Sequence, residues 1–213
     1  AARLAAGRLA RAVNELSAAL AAAWRDEKRG NGALFRGFDV RPSLEPFAER
    51  YRLRAACVAV YPMYRGLASL AGMEVLGDPK DVAGAVAEAK RRARDFDFLF
   101  FHFKGTDSAG EDGDFGRKVA AIEEADGALG AILEAGAFDA LTVTGDHATP
   151  SRLRAHAWHP VPVLIRGPGA FPTEPAPRFD ERHALRGWLG RFPMKDLMPL
   201  LLAEAGRLEK YGA

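Results

Sequence analysis

The chain has 213 residues, 48% hydrophobic and 27% charged, a globular composition that excludes collagen-like, low-complexity and largely disordered readings. Thirty basic against 28 acidic residues leave a formal net charge of +2, too balanced to announce a nucleic acid or another polyanion as partner. No apolar run approaches the roughly 20 residues of a membrane-spanning helix, and the single cysteine, Cys57, forbids an intrachain disulfide framework.

In chain order, Leu4, Leu9, Val13, Leu16, Leu20 and Trp24 recur at helical spacing in an Ala-rich background, which predicts an amphipathic helix over residues 1–28 that stops at Gly30-Asn31-Gly32. Its interspersed Arg3, Arg8, Arg11, Asn14 and Glu15 deny it the apolar core of a signal peptide, and a soluble, cytoplasmic protein is expected. Ala33 to Arg36 is a strand candidate, followed by a loop through Pro42 and Pro46. Ala55 to Val60 is a second, wholly apolar strand, and Cys57 within it suits a buried thiol better than a nucleophile. Leu67 to Leu70 is read as helical, Met73 to Leu76 as a strand, and Asp81 to Arg94 as a surface helix whose Lys90-Arg91-Arg92 run is a solvated face. Asp97 to Phe103 is a strand apolar on both faces, the habit of strands inside parallel sheets. A helix over 115–133, strands over 140–144 and 161–165, a surface loop from Pro168 to Pro177, and helices over 181–189 and 197–208 complete the reading. Strand and helix alternate, so the expected fold class is α/β, a mostly parallel sheet sandwiched by helices, with ligands outside the carboxyl ends of the strands.

Two strands run straight into acidic clusters. Phe98 to Phe103 leads into Lys104-Gly105-Thr106-Asp107-Ser108-Ala109-Gly110-Glu111, and Leu141 to Thr144 leads into Gly145-Asp146-His147. With His156, placed before Pro160-Val161-Pro162, carboxylates and imidazoles converge from three loops, the outline of a metal site suited to Mn²⁺, Mg²⁺, Fe²⁺ or Zn²⁺. Solvated acidic turns and an Asp146 cap are the plain alternatives for any one of these residues taken alone. His102, alternating with Phe101 and Phe103, reads as a satisfied histidine of the core, or one supporting the ligands from behind, rather than as a ligand, and His183 as a surface one.

The run Thr144-Gly145-Asp146-His147-Ala148-Thr149-Pro150, with His156 and Lys104-Gly105-Thr106-Asp107, resembles the C-terminal half of the archaeal-type, cofactor-independent (2,3-bisphosphoglycerate-independent) phosphoglycerate mutases of the alkaline phosphatase superfamily. The likeness extends through Arg36-Gly37, Glu49-Arg50-Tyr51, Ala55-Ala56-Cys57, Arg65-Gly66 and Gly72-Met73 to the closing Gly206 to Gly212. It implies an alkaline-phosphatase-like core over residues 65–213, with residues 1–64 a remnant of a smaller α/β domain inserted into it. It also implies an isomerase that converts 3-phosphoglycerate to 2-phosphoglycerate in glycolysis through a phosphoserine intermediate, with a small phosphorylated molecule as substrate.

By the same resemblance two divalent metal ions are expected, Mn²⁺ or Mg²⁺ ahead of Zn²⁺. Asp146 and His147 would belong to one metal, Asp107, His156 and the residue four after Asp107 to the other. That last residue is histidine in the family pattern and Glu111 here, an oxygen donor that favours the harder cations. Arg36, Arg50, Arg65 and Lys104 are the candidate substrate-binding residues, a guanidinium fork matching phosphate bidentately; His159 matches no family ligand. Nothing before residue 97 resembles the segment that bears the family's nucleophilic serine, and Ser17, Ser43 and Ser69 lack its surroundings. The expectation is therefore a fragment of a longer enzyme, or a chain whose N-terminal half is a separate polypeptide, with that missing half, or a second copy in a homo-oligomer, as the partner. Another phosphotransferase or phosphatase of the superfamily, or a non-catalytic relative, is the alternative.

Overall fold

The computed structural model describes residues 2–38, 42–135, 138–169 and 178–208. It comprises two compact units, Ala1–Ser43 and Leu44–Ala213. The first is built on helix α1 (Ala2–Ala23), where the Ser17 hydroxyl donates back to the Val13 carbonyl at 2.8 Å and so stays within its own helix. The strand expected at Ala33 to Arg36 does not form: residues 31–38 have no regular structure and Leu34 is 99% exposed. A strand needs a partner to satisfy its backbone, and the described part of this unit offers none.

The larger unit is organised by β1 (Ala55–Ala59), with α2 (Phe47–Tyr51) ahead of it, α3 (Pro62–Leu70), β2 (Glu74–Val75), α4 (Val82–Arg92) and β3 (Phe98–His102) behind. β1 is the centre of a parallel sheet of order β2-β1-β3, its register against β3 running from Ala55 opposite Phe98 to Ala59 opposite His102. Residues 44–64, grouped with the N-terminal part on sequence grounds, thus give the larger unit its central strand. Successive side chains of β1 point to opposite faces. Ala56 and Val58 pack with Leu76, Ala85, Ala89 and Ile132 on one side, and Cys57 and Ala59 pack with Ala68 and Tyr64 on the other. Both faces are covered, as an unbroken apolar strand requires.

Burial pushes the Cys57 thiol up to about 11, partly countered by the Arg65 charge. At neutral pH the group is therefore a protonated, inaccessible thiol. A thiol reagent added at pH 7.5 is expected to leave Cys57 unlabelled in the folded chain and to label it fully in denaturant; fast labelling of the folded form would contradict the packing.

Helix α4 is capped by the Asp81 side chain, which accepts from the Gly84 amide at 2.8 Å. Its last turn carries Lys90, Arg91 and Arg92, where cations complement the helix dipole. Arg92 is committed to Asp95 at 2.6 Å and to Glu74 at 3.2 Å, and Arg91 pairs with Glu88, while Lys90 and Arg91 are exposed, the solvated face expected.

The segment after β3, expected as a loop, is instead a short helix, α5 (Gly105–Glu111), packed on α6 (Phe115–Glu134). α6 is capped by Asp114, whose side chain accepts from the Arg117 amide at 2.9 Å. The expected parallel arrangement also needs correction. β4 (Leu141–Thr144) and β5 (Val163–Arg166) pair antiparallel, and among the described residues they form a two-stranded sheet separate from the first. Thr142 and Thr144 donate to the carbonyls of Leu164 and Pro162 at 3.0 and 3.1 Å, fastening the pair.

The terminal helices are shorter than the periodicity suggests. α7 covers Glu181–Ala184 and α8 covers Leu197–Glu204. α8 stops because Gly206 takes the left-handed conformation at φ 65°, and the Arg207 amide folds back onto the Leu202 carbonyl at 2.8 Å. Residues 170–177 of the Pro-rich loop and 209–213 of the closing motif lie outside the described residues. Among the described residues, no helix is long and apolar enough to cross a membrane.

Candidate metal centre

Three segments deliver the site. β3 ends at His102 and places Asp107 in the first turn of α5, with Glu111 at its end. β4 ends at Thr144 and is followed at once by Asp146 and His147, and the chain returns through an Ala148–Ala157 bridge that brings His156 back. Asp107, His147 and His156 each present a ligand atom within 4.8 Å of the others.

The contacts around this trio are short. The His147 and His156 rings stack with centroids 3.7 Å apart. Nε2 of His156 lies 3.6 Å from Oδ1 of Asp107 and 3.4 Å from Oε1 of Glu111. Nε2 of His147 lies 3.3 Å from Oδ2 of Asp146, while its Nδ1 is 3.8 Å from Asp107. All five side chains expected as ligands from the sequence thus stand together: Asp107, Glu111, Asp146, His147 and His156.

Asp107 is the most enclosed of them, its side chain 14% exposed. Burial pushes its carboxyl up, but hydrogen bonds from Lys104 and Thr149 and the Lys104 charge outweigh this and hold it below the usual carboxylate range. Lys104 is raised in turn by its hydrogen bond to Asp107. Among the described residues, Lys104 is the ammonium paired directly with a carboxylate of this set of three carboxylates and two imidazoles, so the set carries negative charge and lone pairs that a divalent cation would satisfy. With oxygen and imidazole donors and no sulfur, the set fits a divalent cation.

Two supporting residues escaped the sequence reading. Tyr64 donates its hydroxyl to Oδ2 of Asp146 at 2.9 Å, and its ring stacks on His102 at 3.5 Å. The Thr149 hydroxyl lies between Asp107 and His147. Tyr64 stands 82 positions from Asp146, and no local pattern links them; Thr149 sits inside the Thr144 to Pro150 motif, two residues after a candidate ligand, and was there to be noticed. His102 is half-buried, and its Nδ1 has no partner among the described residues, so the satisfied histidine expected from the sequence is not met at that atom; burial pushes the ring toward the neutral form.

Of the candidate substrate-binding residues in the larger unit, Lys104 stands at the cluster. Arg65 is engaged elsewhere, paired with Asp78 and donating to the Gly77 carbonyl at 2.9 Å. Arg50 pairs with Glu45 at 3.3 Å in α2, which leads into the amino end of β1, whereas Asp107 follows the carboxyl end of its parallel neighbour β3. Arg36 is an exposed residue of the smaller unit. His159 stacks on Trp158 at 4.7 Å, and His183 is held by the Asp180 cap at 2.7 Å.

Residues 19–204 match the metalloenzyme superfamily. The chain belongs to that superfamily. It is 50% identical over 209 residues to a probable 2,3-bisphosphoglycerate-independent phosphoglycerate mutase of Thermus thermophilus, a match covering 97% of this chain and 51% of the relative. A solved structure from Pyrococcus horikoshii superposes with a TM-score of 0.72 at 35% identity, covering 79% of this chain and 53% of the other. The cofactor-independent phosphoglycerate mutase from Thermoplasma acidophilum superposes with a TM-score of 0.59 at 25% identity, covering 78% and 40%. This chain therefore spans about half the length of the curated relatives it matches. The strand ends that lead to the carboxylates and histidines belong to two sheets, β3 to the parallel one and β4 to the antiparallel pair.

Proposed function

We propose that this chain is the metal-binding half of a 2,3-bisphosphoglycerate-independent phosphoglycerate mutase, a cytoplasmic glycolytic isomerase that moves a phosphoryl group between two hydroxyls of phosphoglycerate. The observation that carries the reading is the convergence of Asp107, His147 and His156 within 4.8 Å, at the strand ends of a chain homologous to half of such mutases. Asp107, Glu111 and His156 would hold one divalent ion, and Asp146 and His147 the second. When bound, such a pair supplies an activated nucleophile and neutralises charge on the transferring phosphoryl group.

The chain's own residues prepare this. Asp107 and Asp146 are held as oriented acceptors by Thr149 and Tyr64, so their oxygens need little reorganisation. The Lys104 ammonium, paired with Asp107, offsets ligand charge and would be available to a phosphoryl oxygen. Glu111 occupies the family's histidine position and still faces His156 at 3.4 Å, which supports a retained ligand rather than a lost one. By the family resemblance, the phosphorylated serine is assigned to the half of the relatives that this chain does not span.

The test is a Mn²⁺ titration by calorimetry, run beside a mutase assay on this chain and on a polypeptide that joins it to the N-terminal half of a relative. The expected result is metal binding by the chain alone and turnover only in the joined form. Absence of Mn²⁺ binding in both forms would replace this reading by that of a non-catalytic relative. Mn²⁺ binding with hydrolysis of phosphate esters and no mutase turnover would assign the chain to a phosphatase of the same superfamily.

A further inference from the structure

Thr149 is a polar residue buried in the core of the larger unit, 5% exposed. Its hydroxyl is within hydrogen-bonding distance of Oδ1 of Asp107 and lies 3.1 Å from Nδ1 of His147. A hydroxyl has a single proton to give, and an ionised carboxylate can only accept. The Thr149 proton therefore goes to Asp107, and the contact with His147 is satisfied only if Nδ1 carries a hydrogen and donates it to the Thr149 oxygen. In a neutral ring this leaves Nε2 as a bare lone pair.

That lone pair lies 3.3 Å from Oδ2 of Asp146, an oxygen already accepting from Tyr64 at 2.9 Å. Two acceptors then face each other with no proton between them, an arrangement that costs free energy until a cation stands at both. The backbone around Thr149 is itself anchored. The Lys118 ammonium donates to the Thr149 carbonyl at 2.7 Å and to the Thr106 carbonyl at 3.1 Å, binding the segment that follows β4 to the start of α5.

We propose that Thr149 is a positioning residue that fixes His147 as the Nδ1–H tautomer, so that Nε2 and Asp146 face a divalent cation, and that couples this pair to Asp107 of the neighbouring metal position. The proposal rests on the metal-binding reading above. It assigns to a residue outside the ligand set the choice of which imidazole nitrogen meets the metal, a role that outer partners of metal-bound histidines commonly fill.

The experiment uses the full chain, ¹⁵N-labelled at histidine, as wild type, Thr149→Ser and Thr149→Val. Two-bond ¹H–¹⁵N correlation spectra without metal at pH 8 read the His147 tautomer. Calorimetry reads Mn²⁺ affinity, and thermal unfolding without metal checks that both variants fold alike. The expected result is Nδ1–H in wild type and Thr149→Ser, and a shift toward Nε2–H in Thr149→Val. Mn²⁺ binding should be weaker by about 10- to 100-fold in Thr149→Val and close to wild type in Thr149→Ser. An Nε2–H tautomer in the wild type, or equal Mn²⁺ affinity in the Val and Ser variants, would overturn the role of Thr149 while leaving the metal reading standing. A wild type that binds no Mn²⁺ would overturn both.

Discussion

Asp107→Asn is expected to weaken Mn²⁺ binding by about 100-fold or more, while His159→Ala changes it by less than about 3-fold; removing a ligand should cost at least as much as the 10- to 100-fold typical of losing an outer partner. Asp107 is the residue on which the site converges. Lys104 and Thr149 both donate to its carboxylate, His156 approaches to 3.6 Å and His147 to 3.8 Å. Asparagine keeps the shape but replaces one acceptor oxygen by a donor amide, which must face either the Lys104 ammonium or the Thr149 hydroxyl. Charge and hydrogen bonding therefore fail together. His159 is instead stacked on Trp158, so its loss leaves the five clustered side chains in place. Comparable losses in the two variants would mean that Mn²⁺ binds elsewhere.

The same substitution has a pH signature in the metal-free chain. Asp107 titrates below its usual range in the folded state, because its hydrogen bonds and the Lys104 charge outweigh burial. A depressed folded-state pKa stabilises above the unfolded value, about 3.9 for aspartate, and that contribution is lost as pH falls through the folded value. Asp107→Asn should flatten this part of the acid limb, below about pH 4, relative to wild type.

What could be read without coordinates follows from which physical signals are local. The unbroken apolar run Ala55 to Ala59 announces a strand covered on both faces, and β1 is that strand. The acidic motifs after β3 and β4 are local too, so the five clustered side chains were legible. α5 was not: Gly105-Thr106-Asp107-Ser108 has no apolar periodicity, and the helix is stabilised by packing on α6, a tertiary effect. The direction of β5 is likewise invisible in composition, since it depends on how the Ala148–Ala157 bridge turns the chain back. Tyr64 reaches Asp146 only once α3 and the segment after β4 are brought together in the fold. The candidate ligands are thus a property of motifs, and their orientation a property of the tertiary structure.

Gly110→Ala should lower the unfolding temperature, although the mutation raises helix propensity. Gly110 lies in α5 with an ordinary helical backbone, where alanine is intrinsically better by up to about 1 kcal/mol. An added Cβ, however, would stand 2.2 Å from the Thr149 carbonyl oxygen, 3.0 Å from Thr149 Cγ2 and 3.1 Å from the Lys118 ammonium. The first contact is with backbone, and that carbonyl is held by Lys118 at 2.7 Å, so no rotamer change relieves it. Overpacking of this kind costs about 1–3 kcal/mol, and displacing a carbonyl from a charged donor adds about 1.5–3 kcal/mol. Set against the propensity gain, the net destabilisation of about 1.5–5 kcal/mol corresponds to roughly 3–20 °C for a chain of this size. Gly127→Ala in α6 is the matched control: its Cβ would meet nothing within 4 Å, so the propensity gain should appear alone and raise the midpoint slightly. Because the clash falls on Thr149, Mn²⁺ affinity should drop in Gly110→Ala and stay unchanged in Gly127→Ala. A Gly110→Ala chain that melts with or above the wild type would show that α5 and the segment after β4 do not meet as closely as the site requires.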